Sequence, residues 1–107
     1  MTVIAELSLD LAEEREKVAV RLFAPERLEE GPGWKCRFEI GEPIKYGRYI
    51  FGESSLQALV LAVKILSSEL YGSDEYKTGV LGIDGEFRGY LGIPAPNVFL
   101  DKAPFPF

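Results

Sequence analysis

The chain has 107 residues, 12 basic and 17 acidic, for a formal charge of −5. That length suffices for one compact core and is short for two, and hydrophobic and charged fractions of 47% and 27% exclude disorder over most of it. The acidic balance speaks against nucleic acid, whose phosphates need a concentrated basic footprint, and a single cysteine, Cys36, leaves no internal disulfide and no sign of an oxidising compartment.

Residues 1–12 contain Glu6 and Asp10 and lack both a basic start and an apolar centre, so they do not read as a secretion signal. The longest apolar run, residues 58–63, ends at Lys64 and is far shorter than a membrane span. No membrane association and a cytoplasmic address are the expectation.

Residues 2–11 alternate, with Val3, Ala5, Leu7, Leu9 and Leu11 on one face and Glu6, Ser8 and Asp10 on the other, the period of a half-buried strand. The charged residues 12–17 join it to a second strand over 18–24, where Val18, Val20 and Leu22 share a face. Residues 26–33 carry the glycine, proline and charge of a surface loop. Trp34, Cys36, Phe38 and Ile40 then alternate strictly with Lys35, Arg37 and Glu39, and residues 44–51 continue as a fourth strand with Gly47 as a candidate bulge. Strands joined by short loops pair with their neighbours, so the expected sheet is an antiparallel four-stranded meander in chain order.

Residues 52–71 read as a long amphipathic helix. Ser54 and Gln57 have the spacing of a capping box. Leu56, Leu59, Val63, Leu66 and Leu70 recur at steps of three and four, with Val60 and Ala62 widening the stripe. Such a stripe needs an apolar surface to cover, which makes the fold α+β, a two-layer sandwich of sheet and helix. Residues 72–77 read as a polar loop, and Asp84-Gly85 as a type I′ turn in a small C-terminal hairpin. The domain is expected over 1–92, followed by an extended Pro/Phe-rich tail over 93–107.

The strand from Trp34 to Ile40, the helix opening at Gly52 with Leu56-Gln57-Ala58-Leu59, and the ending Leu91-Gly92-Ile93-Pro94 together resemble a family of small uncharacterised bacterial proteins, a domain of unknown function with a Trp-x-Cys-x-aromatic strand and a Leu-Gln-Ala-Leu helix start. The resemblance implies a bacterial domain and carries over no activity and no catalytic residue. In size and layout the chain is also similar to immunity proteins that neutralise partner toxins, an analogy of form.

The chain contains no histidine, so the commonest general base and metal ligand is missing, and one cysteine builds no thiolate metal site. No catalytic residue, cofactor or metal ligand is assigned. Cys36 shares the inward phase of Trp34 and Phe38 and reads as a small core residue. Asp74 with Glu75, and Asp84 with Glu86, sit in turn signals that explain them.

Two surfaces stand out. Arg21, Lys35, Arg37, Tyr46 and Arg48 fall on the expected outward phases of adjacent strands and form a candidate interaction face for an acidic partner; cross-strand charge pairs involving Glu6 and Glu39 are the plainer reading. Phe99, Phe105 and Phe107 form a candidate interaction tail, which either enters a partner's groove or folds back on its own domain. Three functions stay open. The first is a non-enzymatic protein-interaction module, immunity-like or regulatory, with an unidentified protein partner. The second is a small-ligand binder or enzyme with a sheet-edge cleft near Tyr46, Arg48 and Asp84, and the third is a homo-oligomeric structural protein, such as a homodimer, joined through an edge strand or an exchanged tail.

Overall fold

The computed structural model describes residues 1–12 and 17–96. Strands β1 (Val3–Leu11) and β2 (Val18–Phe23) form the expected antiparallel pair, with Leu7 opposite Val20 and Leu9 opposite Val18, and a register shift between Val3 and Ala5. Most of the turn expected over 12–17 lies outside the described residues. The loop expected over 26–33 contains a two-residue strand, β3 (Glu26–Arg27), beside Trp34 and Lys35 of β4 (Trp34–Ile40). β5 (Tyr46–Gly52) pairs with β4 from Trp34–Gly52 to Ile40–Tyr46, so β2 and β3 share the opposite edge of β4.

The helix α1 (Ser55–Tyr71) follows β5 with a turn of only two residues. Ser54 caps the helix as the spacing predicts, accepting from Gln57 N–H at 3.0 Å, while Gln57 Oε1 accepts at 2.6 Å from the N–H of Glu53, one residue before the cap. The buried stripe differs from the expected one. It runs through Ala58, Ala62, Leu66, Ser67 and Leu70, whereas Leu56 is 67% exposed. Small side chains let a helix approach a sheet closely, so the alanines, and not the first leucine, face the strands. The polar loop expected over 72–77 is in part a short helix, α2 (Asp74–Lys77), whose Ser73 side chain accepts from Tyr76 N–H.

β6 (Leu81–Ile83) and β7 (Glu86–Phe87) make the expected hairpin, with Asp84 at φ 50° and Gly85 at φ 78° in its turn. The hairpin does not stand apart. Leu81 pairs with Leu11 and Gly82 with Asp10, which extends the sheet beyond β1. The four-stranded meander is therefore corrected to a sheet of seven strands among the described residues, ordered β5, β4, β2 with β3 in line, β1, β6, β7. What the pattern of four long strands omits is the free length of β1 at Asp10 and Leu11, which pairs with β6 and brings Leu81 to full burial.

Asp10 also holds the hairpin turn. Its carboxylate accepts from Gly85 N–H at 2.9 Å and lies 3.2 Å from Lys17 Nζ, and the Gly85 bond and then the Lys17 contact hold its pKa below the ordinary aspartate range. A depressed folded pKa means the contribution is present at neutral pH and lost as acid protonates the group. The Gly85 amide resonance should therefore titrate with a midpoint below the roughly 3.9 of a free aspartate, and Asp10→Asn should abolish that titration.

The core lies between α1 and one face of the sheet, with Phe38, Cys36, Leu9, Val18, Leu70, Leu81 and Leu91 fully buried. α1 covers β4 and β5. Over β1 the cover is the segment 91–96, strapped to the helix: Tyr71 Oη donates to Ile93 O at 2.6 Å and accepts from Leu91 N–H at 3.0 Å, and the buried Ser67 hydroxyl donates to Pro94 O. Gly92 passes so close to the sheet that a Cβ there would lie 3.1 Å from Leu7 Cδ1.

Candidate interaction face

The register of β5 decides which side chains share the uncovered face. Cys36 pairs with Ile50, both buried, so Ile50 points to the helix side, and with it Arg48 opposite Phe38 and Tyr46 opposite Ile40. Tyr46 packs against Phe38 with ring centroids 5.8 Å apart, and Arg48 Nη1 donates to Tyr46 Oη at 3.5 Å. Tyr46 and Arg48 thus leave the outward set in which the sequence placed them. The β4–β5 ladder runs from end to end without a bulge at Gly47, and β5 carries aromatic residues on both phases, so alternation alone gave the wrong side.

Arg21, Lys35 and Arg37 do lie on the open face. Lys35 is opposite Phe51, Arg37 opposite Tyr49, and Arg21 is flanked by Glu39 and Glu6. Their charges are largely matched. Arg21 Nε sits 3.3 Å from Glu6 Oε1, and Arg37 Nε sits 2.8 Å from Glu39 Oε2. Lys35 Nζ and the Arg37 guanidinium lie 4.9 and 5.1 Å from the Tyr49 ring centroid, and Tyr49 Oη donates to Met1 Sδ at 3.4 Å. The face is therefore an aromatic row held between cations, with acidic neighbours, and not a bare cationic patch.

Tyr49 and Phe51 were missed because neither belongs to the expected outward phase. The signal that identifies them is Ile50, the aliphatic β-branched residue of the strand, whose place opposite Cys36 sends residues 49 and 51 outward. Phe51 is 59% exposed and borders an open concavity of about 650 Å³ lined also by Leu28, Pro32, Gly33, Gly52, Glu53 and Gln57. A second concavity, about 250 Å³, lies at the other end of the same face around Gly47.

The remaining sequence candidates do not converge. Asp84 is in the β6–β7 turn, at the edge of the sheet remote from Tyr46 and Arg48 on β5, so these three do not line one cleft. Cys36 is fully buried, its thiol donates to Phe23 O at 3.2 Å, and burial raises its pKa. Among the described residues no group of three or more Cys, Asp or Glu side chains is placed to hold a metal, and no helix is long and apolar enough to cross a membrane. Phe99, Phe105 and Phe107 lie outside the described residues.

β5 borders only β4 among the described strands, so it is an edge. Arg48, a charge on the core side of that edge, disfavours pairing with another strand, because continuing the sheet would desolvate it. Arg48→Val is expected to strengthen self-association about tenfold, the equivalent of ~1.4 kcal/mol, read as a larger weight-average mass in sedimentation at equal concentration.

No curated protein and no solved structure matches the chain. A family model does, over residues 5–95, a range that holds nearly all of β1 and every later strand and helix described above. The chain belongs to the family described as a domain of unknown function, DUF6968.

Proposed function

We propose that the chain is a non-enzymatic protein-interaction module, immunity-like or regulatory in role, that docks a partner protein on the open face across β4 and β5. The observation that carries this reading is Phe51, a large aromatic side chain 59% exposed at the rim of a concavity, next to a tyrosine whose ring is flanked by two cations. Tyrosine, phenylalanine, methionine and arginine are enriched at interface cores, and tyrosine and arginine among the residues that carry most of the binding energy. Side chains ordered before binding lose little further freedom when the partner arrives. The partner that fits offers an apolar side chain beside Phe51 and acidic groups toward Arg21 and Arg37.

A photoreactive phenylalanine analogue placed at position 51, and separately at the exposed Tyr90, tests this in cells of the source organism. One discrete cross-linked product from position 51 and none from position 90 is expected. A product of twice the chain's mass would put a second copy on this face instead, and equal yields from both positions would remove the face as a docking surface.

A further inference from the structure

The concavity at the turn end of β2, β4 and β5 carries a more specific reading, which rests on the docking function just described. We propose that it is a carboxylate socket that takes an aspartate or glutamate side chain of the partner protein. It is lined by the small residues Ala19, Gly41 and Gly47, by Arg21, Arg37 and Lys45 with Glu39 as the one lining acid, and by Ile40 and Tyr46. The turn is fixed in place, since Gly41 N–H donates to Ala19 O at 2.8 Å and Lys45 N–H to Gly41 O at 2.9 Å.

Arg37 is the centre of the site. Its Nε is committed to Glu39 and its guanidinium lies against Tyr49, and its side chain is only 24% exposed. Nη2 extends over Gly47, where an added Cβ would lie 2.8 Å from it. The absence of a side chain at Gly47 is thus what lets the guanidinium lie over the strand with Nη2 beside the concavity. Arg21 and Lys45 are held by Glu6 at 3.3 Å and Glu42 at 3.7 Å, both outside the lining and largely exposed. Exposed pairs of this kind are weak and exchange readily, so an incoming carboxylate competes for both cations while Arg37 stays fixed.

Size and charge narrow the occupant. About 250 Å³ falls below the roughly 300–1,000 Å³ of pockets that enclose drug-sized ligands and suits one acidic side chain. The chain as a whole is at −5 and does not draw anions from a distance, so recognition is local, through the fixed fork of Arg37 and its two neighbours.

The test is a nuclear magnetic resonance titration of the whole chain at constant ionic strength with acetyl-Gly-Glu-Gly-Glu-Gly-amide, its glutamine counterpart, and succinate. The glutamate peptide should shift the Gly41 and Gly47 amides and the Arg37 Nε–H resonance saturably, and the glutamine peptide should not. Gly47→Ala keeps every charge and has no positive φ to strain, so it should fold; its methyl displaces Nη2, and binding should weaken about tenfold. Arg37→Lys should weaken it similarly, because the fork is lost. Unchanged binding by Gly47→Ala, or shifts spread equally over all basic residues, would overturn the socket. Succinate binding as tightly as the peptide would overturn its assignment to a protein side chain. A silent titration beside a discrete cross-link from position 51 removes the socket and leaves the docking face, whereas loss of the cross-link alone removes the docking function.

Discussion

Phe38→Ala is expected to destabilise the chain by about 3–5 kcal/mol, seen as a lower urea midpoint with little change in slope. Phe38 is the largest of the fully buried side chains. It stands in the middle of β4, with Leu22 opposite on one neighbouring strand and Arg48 on the other, and its ring meets Tyr46. Truncation leaves a cavity between the sheet and α1, and close packing of the surrounding core limits how far it can collapse. A domain of this size is stable by only about 5–15 kcal/mol, so the variant gives up a large share of its stability. Phe38→Leu keeps most of the volume and should cost less than half as much.

Gly52→Val should be nearly as damaging, at about 3 kcal/mol, the top of the ordinary range for overpacking. A Cβ at Gly52 would lie 2.6 Å from Ala58 N and 2.9 Å from Ala58 Cα. Those atoms are helix backbone, which cannot swing aside as a long side chain would. The start of α1 would have to lift off β5, taking with it the buried contact at Ala58 and the capping bonds of Ser54 and Gln57. Even Gly52→Ala meets the same atoms, whereas Gly85→Ala has nothing within 4 Å and suffers only the strain of a positive φ. Comparing Gly52→Ala with Gly85→Ala by thermal unfolding separates contact with the helix from backbone conformation, and the Gly52 variant should melt lower.

Legibility in the sequence followed how local each signal was. The helix cap needs only Ser54 and Gln57, and the hairpin turn only Asp84 and Gly85; both form as their spacing predicts. β1, β2 and β4 alternate cleanly and were placed close to their observed limits. The stripe of α1 is legible in part: Ala62, Leu66 and Leu70 are buried and Leu59 and Val63 pack on the core as the periodicity predicts, whereas Leu56 is exposed and the small residues Ala58 and Ser67 are buried, because large aliphatics dominate any periodicity count. Pairing of β6 with β1, and the strapping of 91–96 by Ser67 and Tyr71, join residues far apart in the chain, and no local pattern announces them. β3 has two residues and follows Pro25, which gives no alternation to read.

The candidate face shows the same division. Arg21, Lys35 and Arg37 sit on strands with one polar phase, and all three lie on the open side. Tyr46 and Arg48 sit on a strand whose two phases are both aromatic, so only the pairing of Ile50 with Cys36 decides their side. The register of β5 changes the chemistry of the face. It loses Tyr46 and Arg48 and gains Tyr49 and Phe51, and its arginines prove to be matched by Glu6 and Glu39. Specificity on such a surface comes from how its few charged groups are arranged against those of the partner.

Whether a partner occupies this face is read most directly by radical footprinting, comparing oxidation of Met1, Tyr49 and Phe51 in living cells of the source organism with that of the purified chain, and using Tyr90 as the internal reference. Strong protection of Phe51 and Tyr49 in cells, with Tyr90 oxidised equally in both, is the expected result. Equal oxidation of Phe51 and Tyr90 under both conditions would show the face bare in the cell and contradict the docking function.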